Sequence, residues 1–268
     1  MNSKLLNNQV SIPIVGFGTF GLNDTHVLDA FSQGFRNIDS ASTYGNEEIF
    51  GQALAKSGLS RSEVFLTTKM STDCQRKGTV EAELDNTLKV LGTDYADLYL
   101  IHWPVKEKFV DTWLTLEKIY HSGKVKAIGV SNFNIHHLEA IKKVWTVKPV
   151  LNQIELHPYF SQVEMVNYCH DLGIDVQAYS PLASGGSGLL QEPVLGQIAQ
   201  THGKSPVQVV LRWSVQRGLL TIPLAMTKEH MQQNLDIFNF ELSESEMALI
   251  NGLNKDLRTG HDPDTFTF

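Results

Sequence analysis

Short apolar runs alternate with stretches of helical periodicity along this chain, and that alternation restricts its fold more than any other feature. Strand-like runs occupy 35–39, 64–69, 96–102, 126–131, 150–155, 175–180 and 219–223, with a weaker eighth at 237–240. Helix-like segments lie between and after them, at 26–33, 46–56, 79–91, 110–122, 135–145, 162–171, 194–202, 206–216 and 228–235. The strand runs are mostly continuous rather than alternating in polarity, as expected when both faces of a parallel sheet are covered. Eight strand–helix repeats in order predict a (β/α)8 barrel, an α/β fold. A length of 268 residues fits one such barrel as a single domain.

Local punctuation agrees. Thr79 stands where the 79–91 helix should begin, and Ser205-Pro206 offers an N-cap followed by Pro at the first helical position. Glycine follows the helices at Gly34, Gly58, Gly92, Gly123, Gly173 and Gly218. Ahead of the first run, Lys4–Leu6 and Val10–Ile12 flank Asn7-Asn8, which predicts a β-hairpin with the asparagines in its tight turn. An open doubly wound sheet is the runner-up and would want G-x-G-x-x-G between its first strand and helix. GFGTFG at 16–21 precedes the first strand run and no helix starts there, so it is not read as that fingerprint. The longest irregular stretches are 183–193 and the tail from about 254; the first, glycine-rich, is a candidate loop over a strand-end site.

Composition narrows the partners. A net charge of −7 with no Lys/Arg cluster argues against nucleic acid. No run approaches ~18 apolar residues and the N-terminus has no signal-like apolar stretch, so a cytoplasmic protein without a membrane span is expected. The absence of heptads or a large apolar stripe makes a monomer the expectation. Cys74 and Cys169 read as free thiols, and His157 and His170 find no third ligand at metal spacing, so no metal is expected.

Four side chains sit at or just past strand ends: Asp39, Tyr44, Lys69 and His102. Barrels of this kind place chemistry at the C-terminal ends of their strands. A tyrosine is a poor proton donor at neutral pH, and a neighbouring ammonium would lower its pKa. An aspartate would keep that lysine charged and fixed, and a histidine could orient a substrate oxygen. From position alone, a structural Asp39–Lys69 ion pair with incidental Tyr44 and His102 explains the pattern equally well. A Schiff-base role for Lys69 would need a depressed pKa, which Asp39 opposes.

The flanking motifs resemble the aldo-keto reductase family. GFRNIDSASTYGNEEIFG at 34–51 is similar to its first signature, in which an Asp is followed five residues later by the acid Tyr and then by Asn and Glu, here Asn46 and Glu47. LTTKM carries the family's Lys at Lys69, and DLYLIHWP its His at His102. KAIGVSNF at 126–133 resembles the second signature, and LNQIELHPY and AYSPLA resemble the ends of the fifth and sixth strands. The likeness covers nearly the whole chain and looks nearest to small bacterial members such as the 2,5-diketo-gluconate reductases. It implies NAD(P)H-dependent reduction of an aldehyde or ketone, with Tyr44 as the acid. By the same resemblance, Ser131, Asn132 and Gln153 would hold the nicotinamide carboxamide. Tyr179 would stack on the ring, and Ser180 and Leu182 would lie along the pyrophosphate. A non-catalytic, cofactor-binding barrel is the alternative on the same fold.

Two departures from the family pattern carry consequences. Where relatives carry I-P-K-S and then Arg and Glu-Asn to grip a 2′-phosphate, this chain has IPLAMTKEHMQQN. Leu224, Ala225, His230 and Gln233 replace the Lys, Ser, Arg and Glu; Asn234 remains, and Thr227 and Lys228 are the nearest polar substitutes. NADPH is the family default, but NADH use is therefore expected as well. Second, Ser71 stands where many relatives place a Trp two residues after the Lys. That leaves Phe20, Trp103 and the tail aromatics Phe266 and Phe268 to wall a more open substrate pocket.

Overall fold

The computed structural model describes residues 2–267, so Phe268 lies outside the described residues. Eight parallel strands, adjacent in space in the order they occur in the chain, form a (β/α)8 barrel: β3 (Phe17–Gly18), β4 (Asn37–Asp39), β5 (Phe65–Met70), β6 (Leu98–Ile101), β7 (Ile128–Ser131), β8 (Leu151–Glu155), β9 (Asp175–Tyr179) and β10 (Leu220–Thr221). A parallel bridge between Val15 and Thr221 and the Gly16 N–H bond to Thr221 O at 2.8 Å close the sheet on itself. Strands and helices were legible in the sequence at one end of this list and not at the other. Residues 237–240 form no strand; Ile237 is buried between helices instead. The missing strand is β3, inside GFGTFG. Two paired residues give no period to detect, and the glycines serve close packing: a Cβ on Gly16 would lie 2.8 Å from both Asn37 Nδ2 and Ile222 Cγ2.

The predicted hairpin is present as β1 (Ser3–Leu5) and β2 (Ser11–Pro13). Its turn differs from expectation. Gln9, not either asparagine, takes the left-handed conformation at φ 68°. Asn7 and Asn8 instead turn their amides onto the barrel: Asn7 Nδ2 donates to Pro149 O at 2.8 Å and Gly173 O at 3.1 Å, and Asn8 Nδ2 to Lys126 O at 3.0 Å. Those carbonyls precede β8, β9 and β7. Leu6 and Ile12 are buried against Phe65, Leu98, Leu100 and Leu151. The hairpin thus plugs the N-terminal mouth of the barrel, opposite the strand ends that carry Asp39 and Lys69.

Helices cover the outside, and Trp113 and Trp213 are fully buried beneath them. Ser205 caps the helix Pro206–Gln216 with a reciprocal Gln208 contact, as its sequence predicts. Thr79 does stand at the start of Val80–Leu91, but its side chain makes no capping bond. Two helices lacked a clear apolar period: the six-residue Thr72–Lys77 and the tail helix Glu244–Asn251. Cys74 and Cys169 are buried free thiols. Among the described residues, no helix is long and apolar enough to cross a membrane.

Candidate active site

The parallel register brings the ends of β4, β5 and β6 side by side, with Asp39 level with Thr67 and Lys69 level with Leu100. Asp39 and Lys69 therefore point into the barrel from neighbouring strands. Lys69 is completely buried. Its ammonium donates to the Asp39 carboxylate, to Ser40 O at 2.9 Å and to the Tyr44 hydroxyl at 3.3 Å. Three donors meet three acceptors, so the buried charge is saturated. Burial acts to lower the Lys69 pKa, but the charges and hydrogen bonds of Asp39 and Tyr44 outweigh it and the net direction is up. The second Asp39 oxygen accepts from Gln153 Nε2 at 2.7 Å. A lysine held charged in this way is a poor Schiff-base nucleophile.

Tyr44 ends a short 3₁₀ turn, Ser42–Tyr44, closed by Gly45 at φ 66°. Desolvation pushes its phenol above the ordinary value, and Lys69 pulls it back only in part. The sequence expectation of a net lowering is thus reversed, because the hydroxyl sits deep where its anion is poorly solvated. The His102 ring stands edge-on to Tyr44, centroids 5.9 Å apart, with Nδ1 3.3 Å from Thr43 Oγ1. Burial and then the Lys69 charge push His102 down to about 3, so its imidazole is neutral at any working pH. The cluster is a protonated phenol beside a fixed cation and a neutral imidazole. It can give a proton to an oxygen that is gaining negative charge, while the cation stabilises the phenolate left behind.

A cavity of about 800 Å³ opens above this cluster. Asp39, Tyr44 and His102 line it, and Lys69 lies beneath. Ser131, Asn132, Gln153 and Tyr179 line one side, and Ser180, Leu182 and Leu224 continue from them. Asn132 is held at φ 62° and Ser180 at φ 46°, strained conformations that persist only where surrounding contacts fix them. The Tyr179 hydroxyl donates to Asn132 Oδ1 at 2.8 Å, and Asn132 Nδ2 donates to His102 O at 3.0 Å. Ser131 Oγ donates to Gln153 O at 2.9 Å. Both Gln153 N–H groups are engaged, by Asp39 and by Gln177 Oε1 at 2.8 Å, which leaves Oε1 for a ligand.

The segment after β10 is less convergent. Leu224 lines the cavity at 42 % exposure. Ala225 is buried with the helix cluster, and Asn234 is buried too. Thr227 caps the helix Lys228–Leu235, accepting from His230 N at 3.2 Å, while His230 and Lys228 are exposed and Gln233 is half-buried. Lys228 pairs with Asp29 at 3.1 Å rather than turning to the cavity.

Phe20 and Trp103 line the mouth, Phe20 edge-on to Tyr44 at 5.1 Å and Trp103 packed on Phe266 at 4.9 Å. Ser71 is not part of that wall; its neighbour Thr72 is. Ser71 caps the helix Thr72–Lys77 and bonds Glu83, so its side chain is turned away from the cavity. Gly260 and His261 of the tail also line the mouth, brought there by Glu155. Residues Ser184, Gly185 and Leu190 of the 183–193 stretch line it as well. The signal for Glu155 lay in LNQIELHPY, where a carboxylate inside an apolar strand demands partners. His157 is one of them, its Nε2 3.0 Å from Glu155. His170 lies exposed near Asp171.

The profile of the Aldo/keto reductase family matches residues 19–255. The chain belongs to the aldo/keto reductase family. It is 45 % identical to the glyoxal reductase of Bacillus subtilis (strain 168), over 98 % of this chain and 96 % of the relative. A 9,11-endoperoxide prostaglandin H2 reductase of Trypanosoma cruzi (strain CL Brener) is also 45 % identical, over 99 % of this chain and 96 % of its own length. Among solved structures, an aldo-keto reductase from a Medee basin deep-sea metagenome library superposes with a TM-score of 0.96 at 38 % identity, covering 100 % of both chains. The Bombyx mori aldo-keto reductase in complex with NADP gives 0.92 at 34 % identity, over 98 % of this chain and 96 % of that one. This aldo-keto reductase is therefore an oxidoreductase, of a family that uses NAD(P)H and acts on small carbonyl compounds.

Proposed function

We propose that this enzyme reduces a small aldehyde or dicarbonyl to the alcohol, with Tyr44 as the proton donor. The single observation that carries the reading is the Lys69 ammonium, buried at the cavity floor between the Asp39 carboxylate and the Tyr44 hydroxyl. The residues fit a nicotinamide. Gln153 Oε1 is an open acceptor for a carboxamide N–H, Asn132 Nδ2 can exchange its 3.2 Å bond to Ser131 Oγ for the carboxamide oxygen, and Tyr179 offers a ring face. The bound nicotinamide supplies hydride to the carbonyl carbon. Tyr44 and His102 hold the carbonyl oxygen between them. As charge develops on that oxygen, the Tyr44 O–H bond breaks and its proton passes to the nascent alkoxide. Lys69 stabilises the resulting phenolate, Asp39 keeps Lys69 charged, and solvent returns the proton through the open mouth.

The cofactor preference follows from Leu224 and His230. With no free cation at either position and Lys228 tied to Asp29, selection for a 2′-phosphate is relaxed and NADH serves beside NADPH. A substrate like that of the similar glyoxal reductase suits the mouth, where Trp103, Phe20 and His261 leave room for a short polar carbonyl. Tyr44→Phe, assayed with glyoxal and an aryl aldehyde, should lose at least about a hundredfold in kcat while cofactor binding persists. An unchanged rate overturns the reading.

A further inference from the structure

Tyr44 and Lys69 sit on different elements, a 3₁₀ turn and a strand, and the 3.3 Å between their polar atoms is long for a bond that fixes geometry. Something else must set that separation. Glu83, on the first turn of the helix Val80–Leu91 and outside the cavity, is bonded to both segments. Its Oε1 accepts the Ser42 hydroxyl at 2.9 Å and the Ser71 backbone N–H at 2.6 Å, and its Oε2 accepts the Ser71 hydroxyl at 2.6 Å. Ser42 opens the turn that ends in Tyr44, and Ser71 follows Lys69 by two residues. Ser71 Oγ also accepts from Cys74 N at 3.1 Å, so the same carboxylate fixes the start of the helix whose first residue, Thr72, lines the cavity.

A second acid, at the start of the helix Glu48–Ser57, makes a similar link. Buried Glu47, three residues past Tyr44, accepts from Thr68 Oγ1, beside Lys69, at 2.7 Å and from Thr87 Oγ1 at 3.1 Å. Short bonds to carboxylates are roughly twice as strong as neutral ones. We propose that Glu83, through Ser42 and Ser71, is a positioning residue that sets the distance between the Tyr44 hydroxyl and the Lys69 ammonium. The inference rests on the carbonyl-reductase reading above. It gives Ser71 a role other than an opened pocket wall: a serine there can hold Glu83, which an indole could not do in the same way.

The test compares Glu83→Ala with Glu83→Gln in the full-length enzyme. Glu83→Ala breaks all three contacts, and kcat should fall about ten- to a hundredfold, since a misplacement near 1 Å costs that much. KM for the carbonyl should change less than kcat, since only Thr72 of the loosened helix lines the cavity, and the Kd of the cofactor should stay unchanged. The Tyr44 limb of the kcat–pH profile should move to higher pH, with Lys69, Asp39 and His102 still facing it in every variant. Glu83→Gln keeps an acceptor for Ser42 and the Ser71 N–H and a donor for Ser71 Oγ, so it should recover most of kcat. If Glu83→Ala fails to fold, Ser42→Ala cuts only the link to the Tyr44 turn and must still lower kcat and shift the limb. A lowered Tm with kcat and the limb unchanged overturns the proposal, as does a Glu83→Gln enzyme as impaired as Glu83→Ala. Loss of activity in Tyr44→Phe but not in Glu83→Ala sinks only the role of Glu83; retained activity in Tyr44→Phe sinks the reading beneath it.

Discussion

The carboxylate of Glu155, buried at the end of β8, accepts the backbone N–H of Gly260 at 2.9 Å. Its other oxygen takes the Thr259 N–H at 2.6 Å, the Thr259 hydroxyl at 2.7 Å and His157 Nε2 at 3.0 Å. Burial alone would raise its pKa, yet these bonds hold it down at about 2. A barrel residue thus straps the tail across the cavity mouth.

Glu155→Gln places an amide N–H against at least one tail donor. Leaving buried donors without an acceptor should cost about 1–3 kcal/mol. The strap should loosen, so KM for the carbonyl should rise severalfold while kcat changes less. Steady-state kinetics with a thermal melt check this, and an unaltered KM would show that the tail does not shape the substrate pocket.

Lys69→Met should be worse than its own loss of packing. It leaves Asp39 buried without its cation, a change that typically costs about 3–5 kcal/mol. Adding Asp39→Asn should restore part of that stability and none of the activity. Denaturant midpoints and turnover of the single and double variants separate the two effects.

Stability should fall as the pH drops below about 6.5. His102 is held down to about 3 and His137 to about 4, both mainly by burial. The unfolded chain binds protons on these rings at pH values where the folded chain does not, so stability rises with pH across that window. Each ring costs up to about 1.4 kcal/mol per pH unit descended. Below the ordinary carboxylate range Glu155 acts in the same direction, since its folded pKa is also depressed. Urea midpoints at pH 7.5, 6 and 5 should decrease in that order; a flat profile would contradict the buried, neutral state of both rings.

Leu224→Lys combined with His230→Arg should raise kcat/KM for NADPH relative to NADH by at least about tenfold, because each new charged contact contributes ~1.5–3 kcal/mol when well formed. Parallel assays of the two cofactors measure it. No gain would mean that the 2′-phosphate lies away from these positions.

Much of this protein is legible in its sequence. Residues such as Ile38, Leu66, Leu100, Val130 and Ala178 sit in continuous apolar runs because a parallel sheet is covered on both faces, and the runs stand out for that reason. Asp39, Lys69 and His102 were found because they break such runs at their ends. β3 escaped because its requirement is local crowding at Gly16, which leaves no period in the sequence. Glu155 and Glu83 were visible only as acids, one in a strand and one on an ordinary helix.

By itself, then, the sequence determined the barrel class, seven of its eight strands and the identity of the residues at their ends, since these depend on patterns repeated over short stretches of chain. Only the tertiary structure decided how the site is held and tuned. The tail lies over the mouth because Glu155 meets Gly260 across 105 residues, Glu83 reaches Ser42 across 41, and burial raises Tyr44 despite Lys69. Hydrogen bonds between distant segments and the desolvation of a single hydroxyl depend on which atoms meet and what surrounds them, and no local pattern records either.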